Sequence, residues 1–250
     1  MSQKSKINRQ LVTDTEQPHI QSVVGKYGRT YYFREDMYVG RSVFQYGEFS
    51  PEECSYILDL ASEKKGTVLD IGANIGCITQ ALVAAGHTVQ AWEPQPEVYN
   101  LLARNCGNIA TLHNCALGSS RGIAFMPKVD YSKVGNFGGL GIGSGTLEVE
   151  VMTLDSYQFQ DISLMKIDVE GFEEEVLRGA TETIGRCKPI IYLEADRQEK
   201  LKSLANYLAE LGYSITEHAP PLFSPNNFYN NPKRAWDKNY VSLNWVCRPK

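Results

Sequence analysis

"VLDIGANIGCITQAL" runs from Val68 to Leu82. Residues 67–71 read as a buried strand and 75–85 as a helix closed by Gly86. Asp70, Gly72, Asn74 and Gly76 lie at the turn between them. Two readings compete. One is a tight strand-to-helix connection without a ligand. The other is a cradle for a nucleotide-type cofactor, where small residues let a ligand approach the backbone and the helix start offers N–H donors. A dinucleotide fingerprint needs G-x-G-x-x-G. Counted from Gly72, the second and third glycine positions hold Asn74 and Cys77, which argues against NAD.

Outward from this turn, strand-like and helix-like runs alternate. Strands are expected at 88–94, 111–117, 164–171 and 189–195, with extra strands at 122–128 and within 147–157. Helices are expected from Pro96 to about 105, from about 172 to 184, and over 197–211. "YSITEHA" (213–219) and "VSLNWVCRP" (241–249) form a candidate antiparallel hairpin across a long loop. Upstream, 29–36 reads as a strand and 50–64 as a helix with Ser50 as its cap and Pro51 in its first turn. Residues 1 to about 24 are polar and aperiodic, and are expected to be a flexible arm or a loose helix. Alternation of this kind predicts an α/β fold, a mostly parallel Rossmann-like sheet with helices on both faces. Ligands on such sheets lie beyond the carboxyl ends of the strands, where strand order reverses.

Several carboxylates fall at those strand ends. Glu93 follows Asp70 by 23 residues. It is either a solvated residue or an acceptor for the two hydroxyls of a ribose. Asp168 and Glu170 alternate onto one face, with Lys166 two positions earlier as a partner for a carboxylate. Glu194 ends the next strand. Asp168 and Glu194 are candidates to deprotonate a hydroxyl or to hold a divalent metal. The plainer alternatives are that Asp168 orients a cofactor ammonium or caps the next helix, and that Glu194 pairs with Arg197. "GNFGGLGIGSG" (135–145) reads as a mobile lid or a simple connector. The loop at 220–240 carries Phe228, Tyr229 and Trp236, either as an exposed stacking wall or as a small satellite core.

The 250 residues suit one large α/β domain or two small ones, and 42% are hydrophobic. The net charge of −4 lacks the basic surface of a nucleic-acid binder, and no N-P-P-[YFW] tetrapeptide occurs. No signal peptide and no run of membrane-spanning length is read. The six cysteines form no C-x-x-C pair and read as buried thiols in a reducing, cytoplasmic setting. Neither they nor the four histidines show metal-ligand spacing.

"VLDIGANIG" (68–76), "WEP" (92–94), "NCALG" (114–118), "MKIDVEGFE" (165–173) and "LEA" (193–195) together resemble the FkbM-type methyltransferases, a branch of the class I S-adenosylmethionine-dependent enzymes. "YGEFSPEE" (46–53) is similar to the segment before the first motif in that family. The family's fifth-strand motif often continues with a histidine, where this chain has Ala195 and Asp196.

The resemblance implies a seven-stranded sheet with an antiparallel terminal hairpin, and a division into an N-terminal extension with short strands (1–45) and a methyltransferase domain (46–250). It implies S-adenosyl-L-methionine as cofactor, with Asp70, Gly72, Asn74 and Gly76 at its amino-acid part. Glu93 would hold the ribose, Ala116 and Leu117 would flank the adenine, and Glu48 and Tyr46 would close the site. The expected acceptor is a small hydroxyl compound, a saccharide or natural product. Rival expectations are a nucleotide-sugar or NAD oxidoreductase, a non-catalytic binding module, and a methyltransferase acting on nitrogen or on a macromolecule.

Overall fold

The computed structural model describes residues 9–250. The chain opens with a three-stranded antiparallel sheet of β1 (Val12–Thr13), β2 (Ile20–Gly25) and β3 (Gly28–Phe33), followed by α1 (Val39–Tyr46) and α2 (Pro51–Ser62). The first half of the main sheet comes next: β4 (Thr67–Ile71), α3 (Cys77–Ala84), β5 (Val89–Trp92), α4 (Pro96–Cys106) and β6 (Thr111–His113). β7 (Ala116–Leu117), β8 (Gly122–Met126) and β9 (Leu147–Met152) make a second small sheet. The second half is β10 (Ile162–Ile167), α5 (Glu173–Arg178), α6 (Thr181–Cys187), β11 (Ile190–Glu194), α7 (Gln198–Glu210), β12 (Tyr213–His218) and β13 (Asn244–Pro249).

The main sheet has seven strands in the order β12-β13-β11-β10-β4-β5-β6, with β13 antiparallel to both its neighbours. This is the mostly parallel Rossmann-like sheet with an antiparallel terminal hairpin. Strand order reverses between β4 and β10: the chain proceeds outward from β4 to β6, then returns to β10 on the other side.

Side chains alternate across each strand and fill two layers. Leu69, Ile71, Met165, Ile167, Ile191 and Leu193 pack against α5, α6 and α7. Val68, Val89, Leu164 and Tyr192 pack against α2 and α3. No helix among the described residues is long and apolar enough to cross a membrane.

Five points differ from expectation. Residues 1–8 of the expected N-terminal arm lie outside the described residues, but 20–25 form β2, paired in register with β3. Ile20, Val23 and Phe33 of that hairpin share an apolar cluster with Ile75, Val98 and Leu101. Burial of Ile20, Val23 and Phe33 in that cluster outweighs the polar composition of the segment. α1 was not foreseen. The strand expected at 111–117 breaks after His113, and Ala116–Leu117 leaves to pair with β9. The helix expected from 172 to 184 is two helices separated at Gly179, where a Cβ would lie 1.9 Å from the Gly118 carbonyl oxygen. Ser50 precedes α2 in a left-handed conformation and makes no side-chain cap, although Pro51 does open the helix.

One buried cation sits at the reversal. Asp70, Lys166 and Tyr192 are register partners on β4, β10 and β11 and face the α2 layer together. The Lys166 Nζ lies 3.4 Å from both Asp70 Oδ1 and Asp168 Oδ2, and donates to the Gly72 carbonyl at 2.9 Å. Asp70 is fully buried, and its Oδ2 accepts from the Thr79 hydroxyl at 2.6 Å. Its Oδ1 has no hydrogen bond and is balanced by Lys166 alone. Burial opposes the charge on Lys166, but Asp168, Asp70 and Glu53 outweigh it and hold the ammonium above its ordinary pKa.

The turn after β4 requires its glycines. At Gly72 φ is +79°, and a Cβ would stand 1.8 Å from the Asp168 carbonyl oxygen, so the tips of β4 and β10 touch there. At Gly76 φ is +89°, and a Cβ would meet Cys106 Sγ at 2.6 Å and Leu102 Cδ1 at 2.7 Å on α4.

Gly76→Ala should therefore lose about 2–5 kcal/mol of stability, from a left-handed residue and from overpacking. Urea unfolding of the ligand-free protein measures it, and a loss below about 1 kcal/mol would mean that α4 shifts aside. Lys166→Met should cost about 3–5 kcal/mol, because Asp70 would be left buried without a counter-charge. Asp70→Asn in the Lys166→Met background should recover much of that loss in the same assay.

Candidate active site

A cavity of about 530 Å³ opens over the carboxyl ends of β4, β5, β10 and β11. Its floor is the backbone of Gly72 to Ile75. One side carries Trp92, Glu93, Ala116 and Leu117, and the other Glu53, Lys166, Asp168, Glu170 and Glu194. The rim is closed by Gly138 to Leu140 and Ile142 from one loop, and by Leu222, Tyr240, Val241 and Ser242 from another. Strand tips and short loops thus carry the polar groups, while the layers behind them are apolar and fixed.

Glu93 is 4% exposed. Its Oε2 accepts the Asn74 N–H at 3.0 Å and its Oε1 the Gln95 N–H at 2.9 Å. Each oxygen keeps lone-pair capacity toward the cavity. Burial lifts its pKa to about 7, against the pull of the two backbone donors. Asn74 is held at φ +52°, where its side-chain oxygen accepts the Ile75 N–H.

Asp168, Glu170 and Glu194 form a cluster: one oxygen from each lies within 4.8 Å of the others. Arg197 pairs with Glu170 and with Asp196 at the mouth. Glu194 has a buried Oε2 without a hydrogen-bond partner. Burial, then the neighbouring Asp168 and Glu170 charges, push its pKa well above the carboxylate range. Burial likewise lifts Glu170 to about 7. Such a set suits a cationic group, an ammonium or a divalent metal. The turn after Asp168 is capped by Glu173, whose Oε1 accepts the N–H of Gly171 at 2.9 Å. Asp168 is therefore free of the capping role.

Of the residues expected at the site, Gly72, Asn74, Glu93, Ala116, Leu117, Asp168 and Glu194 line this cavity. Asp70, Gly76, Glu48 and Tyr46 do not. Asp70 shares the parity of Val68, so its carboxylate points under the α2 and α3 layer to Lys166 and Thr79. Gly76 serves the contact with α4. Glu48 binds Lys26 at 3.0 Å and accepts the Phe228 N–H at 2.6 Å. Tyr46 accepts the Ala235 N–H at 2.6 Å and donates to the Lys233 carbonyl. Both residues hold the 220–240 loop.

That loop has its own small core, not an exposed wall. Tyr229 and Trp236 are each 8% exposed, and only Phe228 projects. Trp236 stacks on Tyr38 and donates from Nε1 to the Met37 carbonyl at 2.7 Å. In the glycine-rich loop, Phe137 is buried against Phe33 and Tyr131, which fastens one end beside the cavity. Glu53 was not foreseen at the site. Its signal was an acid on the buried stripe of α2, four residues before Ile57.

The carbonyls and N–H groups of the β4 turn, the buried acceptor Glu93 and the acidic cluster are of the chemistry that could hold S-adenosylmethionine, which brings two ribose hydroxyls, an ammonium and a sulfonium.

A sequence search of curated proteins returns no match. Among solved structures, a methyltransferase FkbM from Methylobacillus flagellatus KT aligns at 21% identity and a TM-score of 0.48, over 73% of this chain and 43% of that one. This chain thus spans less than half of that protein's length. A precorrin-6y C5,15-methyltransferase from Geobacter metallireducens GS-15 aligns at 12% identity and a TM-score of 0.50, over 80% and 87% of the two chains. The tRNA (uracil-54, C5)-methyltransferase of Pyrococcus abyssi, in complex with S-adenosyl-L-homocysteine, aligns at 12% and 0.53, over 92% and 45%. At these identities the structural likeness speaks for the fold. In sequence, the profile of the family described as "Methyltransferase FkbM domain" matches residues 70–215, more than half of the chain, and the chain belongs to that family.

Proposed function

We propose that this chain is an S-adenosylmethionine-dependent methyltransferase that methylates a hydroxyl of a small acceptor, with a sugar-containing compound as the first class to test. The observation that carries the reading is one cavity at the strand-order reversal that joins the Gly72–Ile75 backbone, Glu93 and the acidic cluster. S-adenosylmethionine supplies a methyl group on a sulfonium, with a neutral thioether as leaving group. The protein's own tasks are to align the acceptor oxygen, exclude water and take up a proton.

In this reading Glu93 accepts from the ribose hydroxyls, Ala116 and Leu117 flank the adenine, and the acidic cluster receives the ammonium. Strand-end position marks Asp168 and Glu194 as proton acceptors, but in this reading both belong to the cluster that receives the ammonium, and Glu53, a further carboxylate on the same cavity, is left to take up the proton. Leu222, Tyr240 and Val241 give the acceptor side an apolar and aromatic wall. The family is also compatible with other acceptors. The fold neighbours include methyltransferases of tRNA and of a precorrin, so fold likeness gives no ground for setting nucleic acid aside. The six free cysteines accord with a reducing compartment such as the cytoplasm.

Calorimetry should detect binding of S-adenosylmethionine and S-adenosylhomocysteine and none of NAD; the reverse result removes the reading. Mass spectrometry with labelled S-adenosylmethionine and a panel of saccharides, phenols, amines and RNA then identifies the acceptor. Glu93 adds a pH test. Ribose hydroxyls donate more strongly to the carboxylate than to the neutral acid, which keeps only part of the acceptor capacity, so S-adenosylhomocysteine should bind more tightly as pH rises from 6 to 8. Without ligand the sign is opposite. The folded state keeps the Glu93 proton up to about pH 7, so this group makes stability fall as pH rises from its ordinary value of 4.5 toward 7. Glu93→Gln should flatten both contributions and weaken binding by about 1.5–3 kcal/mol per lost charged hydrogen bond. Unchanged affinity in Glu93→Gln would take Glu93 out of the ribose site.

A further inference from the structure

A chain of polar groups leaves the cavity on the α2 side of the sheet. Glu53, in the first turn of α2, is 7% exposed and lines the cavity. The Tyr192 hydroxyl lies 3.3 Å from Glu53 Oε1 and 3.0 Å from His218 Nδ1. Tyr192 is itself 1% exposed, while His218, at the end of β12, is only half-buried. The His218 ring stacks on Tyr56 with centroids 4.0 Å apart, which holds Nδ1 toward the phenol. A carboxyl, a phenol and an imidazole thus join the cavity to the surface through two consecutive hydrogen bonds. Packing alone does not call for this: phenylalanine at 192 would fill nearly the same volume without a hydroxyl needing partners.

We propose that Glu53 accepts the proton released by the methylated hydroxyl, and that Tyr192 and His218 carry it out to solvent. This rests on the hydroxyl-methylation reading above. The acceptor's O–H bond breaks with its electron pair left on oxygen, which forms the new bond to carbon. The proton goes to one oxygen of the Glu53 carboxylate. The phenol O–H, which donates to Oε1 at rest, first turns to His218 Nδ1; the acid then gives a proton from Oε1 to the Tyr192 oxygen as Tyr192 gives its own to Nδ1. The imidazolium then loses a proton from Nε2 to water. The three side chains return to their starting charge, and no oxidant or further reactant takes part.

Neighbouring groups favour this order. Lys166 and Asp168 face Glu53 from β10 and its end, and Tyr192 from β11. Tyr56 and Tyr192 face His218, and Arg248, paired with Glu63, lies close to the Tyr56 hydroxyl. Burial raises Glu53 above the ordinary carboxyl value, which makes it a better proton acceptor, and lowers His218 below the ordinary imidazole value, which eases release of the proton to water. Asp168 is paired with Lys166, and a proton taken by Glu194 meets no comparable exit.

The test begins without cofactor. The ring signals of His218 are titrated by NMR in the wild type, Glu53→Gln, Tyr192→Phe and the double variant. Loss of the Glu53 charge should lower the His218 midpoint by on the order of half a pH unit, and this response should shrink once Tyr192 is phenylalanine, which leaves only the through-space part. Four identical titration curves overturn the proposal. In turnover with the acceptor from the saccharide, phenol, amine and RNA panel, Tyr192→Phe should lower kcat about 10- to 100-fold and leave S-adenosylhomocysteine affinity unchanged. Imidazole added to His218→Ala should restore part of its lost kcat. A wild-type kcat in Tyr192→Phe, or no effect of imidazole, overturns the exit route. Thermal unfolding of each variant separates these results from misfolding. The titration needs no cofactor, so it can fail while S-adenosylhomocysteine still binds. Failure of S-adenosylhomocysteine to bind instead removes the methyl-transfer reading, whatever the titration shows.

Discussion

The Lys166 ammonium is the pin of this structure. It is buried where strand order reverses, and it draws together groups from both halves of the sheet: Asp70 and the Gly72 carbonyl from one, Asp168 from the other. The two strand tips are in van der Waals contact at Gly72, which leaves no room for slack in that union. The surrounding carboxylates outnumber it. Glu53, Glu93, Asp168, Glu170 and Glu194 face a cavity whose cations are Lys166 and Arg197, both already paired. The field there favours a ligand with positive charge, and it raises the proton affinity of whichever carboxylate is least compensated.

The main sheet was legible because its central strands β4, β5, β10 and β11 are buried on both faces and appear as near-continuous apolar runs, with glycines marking the turns. Of the smaller elements, β3, β8 and β9 were also expected, while β1, β2 and α1 were not. β2 and β3 are short, mix polar with apolar residues, and take their stability from α4 and Ile75, which lie far away in sequence. The break after His113 depends on pairing of Ala116 and Leu117 with β9, a partner some 35 residues downstream. Neither competition between partners nor a single carbonyl contact, such as the one that interrupts the helix at Gly179, leaves a local trace.

Site residues followed a similar division. Glu93, Asp168 and Glu194, singled out by strand-end position, line one cavity. That position does not say which way a side chain leaves the strand, and Asp70 turns into the layer instead of toward the cavity. Parity with Val68 contained that information. Glu48 and Tyr46 lie near the cavity in sequence logic, but their hydrogen bonds go to a loop nearly two hundred residues away. Glu53 was readable in principle, as an acid on the apolar stripe of an amphipathic helix. A residue of that kind needs an explanation, and its neighbours supply one only in three dimensions.

The 220–240 loop carries its own aromatic core, built on Tyr46, Ala235 and Trp236 with Tyr38, Leu222 and Tyr240 beside them. Its hydrogen bonds to the rest of the molecule go to α1 at Gln45 and Tyr46, to Glu48, and to Met37 and Val24. This part of the cavity rim is thereby fastened to the N-terminal elements more than to the strand tips that hold the carboxylates. Such a loop is a transplantable part: changes in its length or side chains alter what the cavity admits without disturbing Lys166 or the strand tips. A scaffold of this kind can be retuned to new acceptors by exchanging one surface segment.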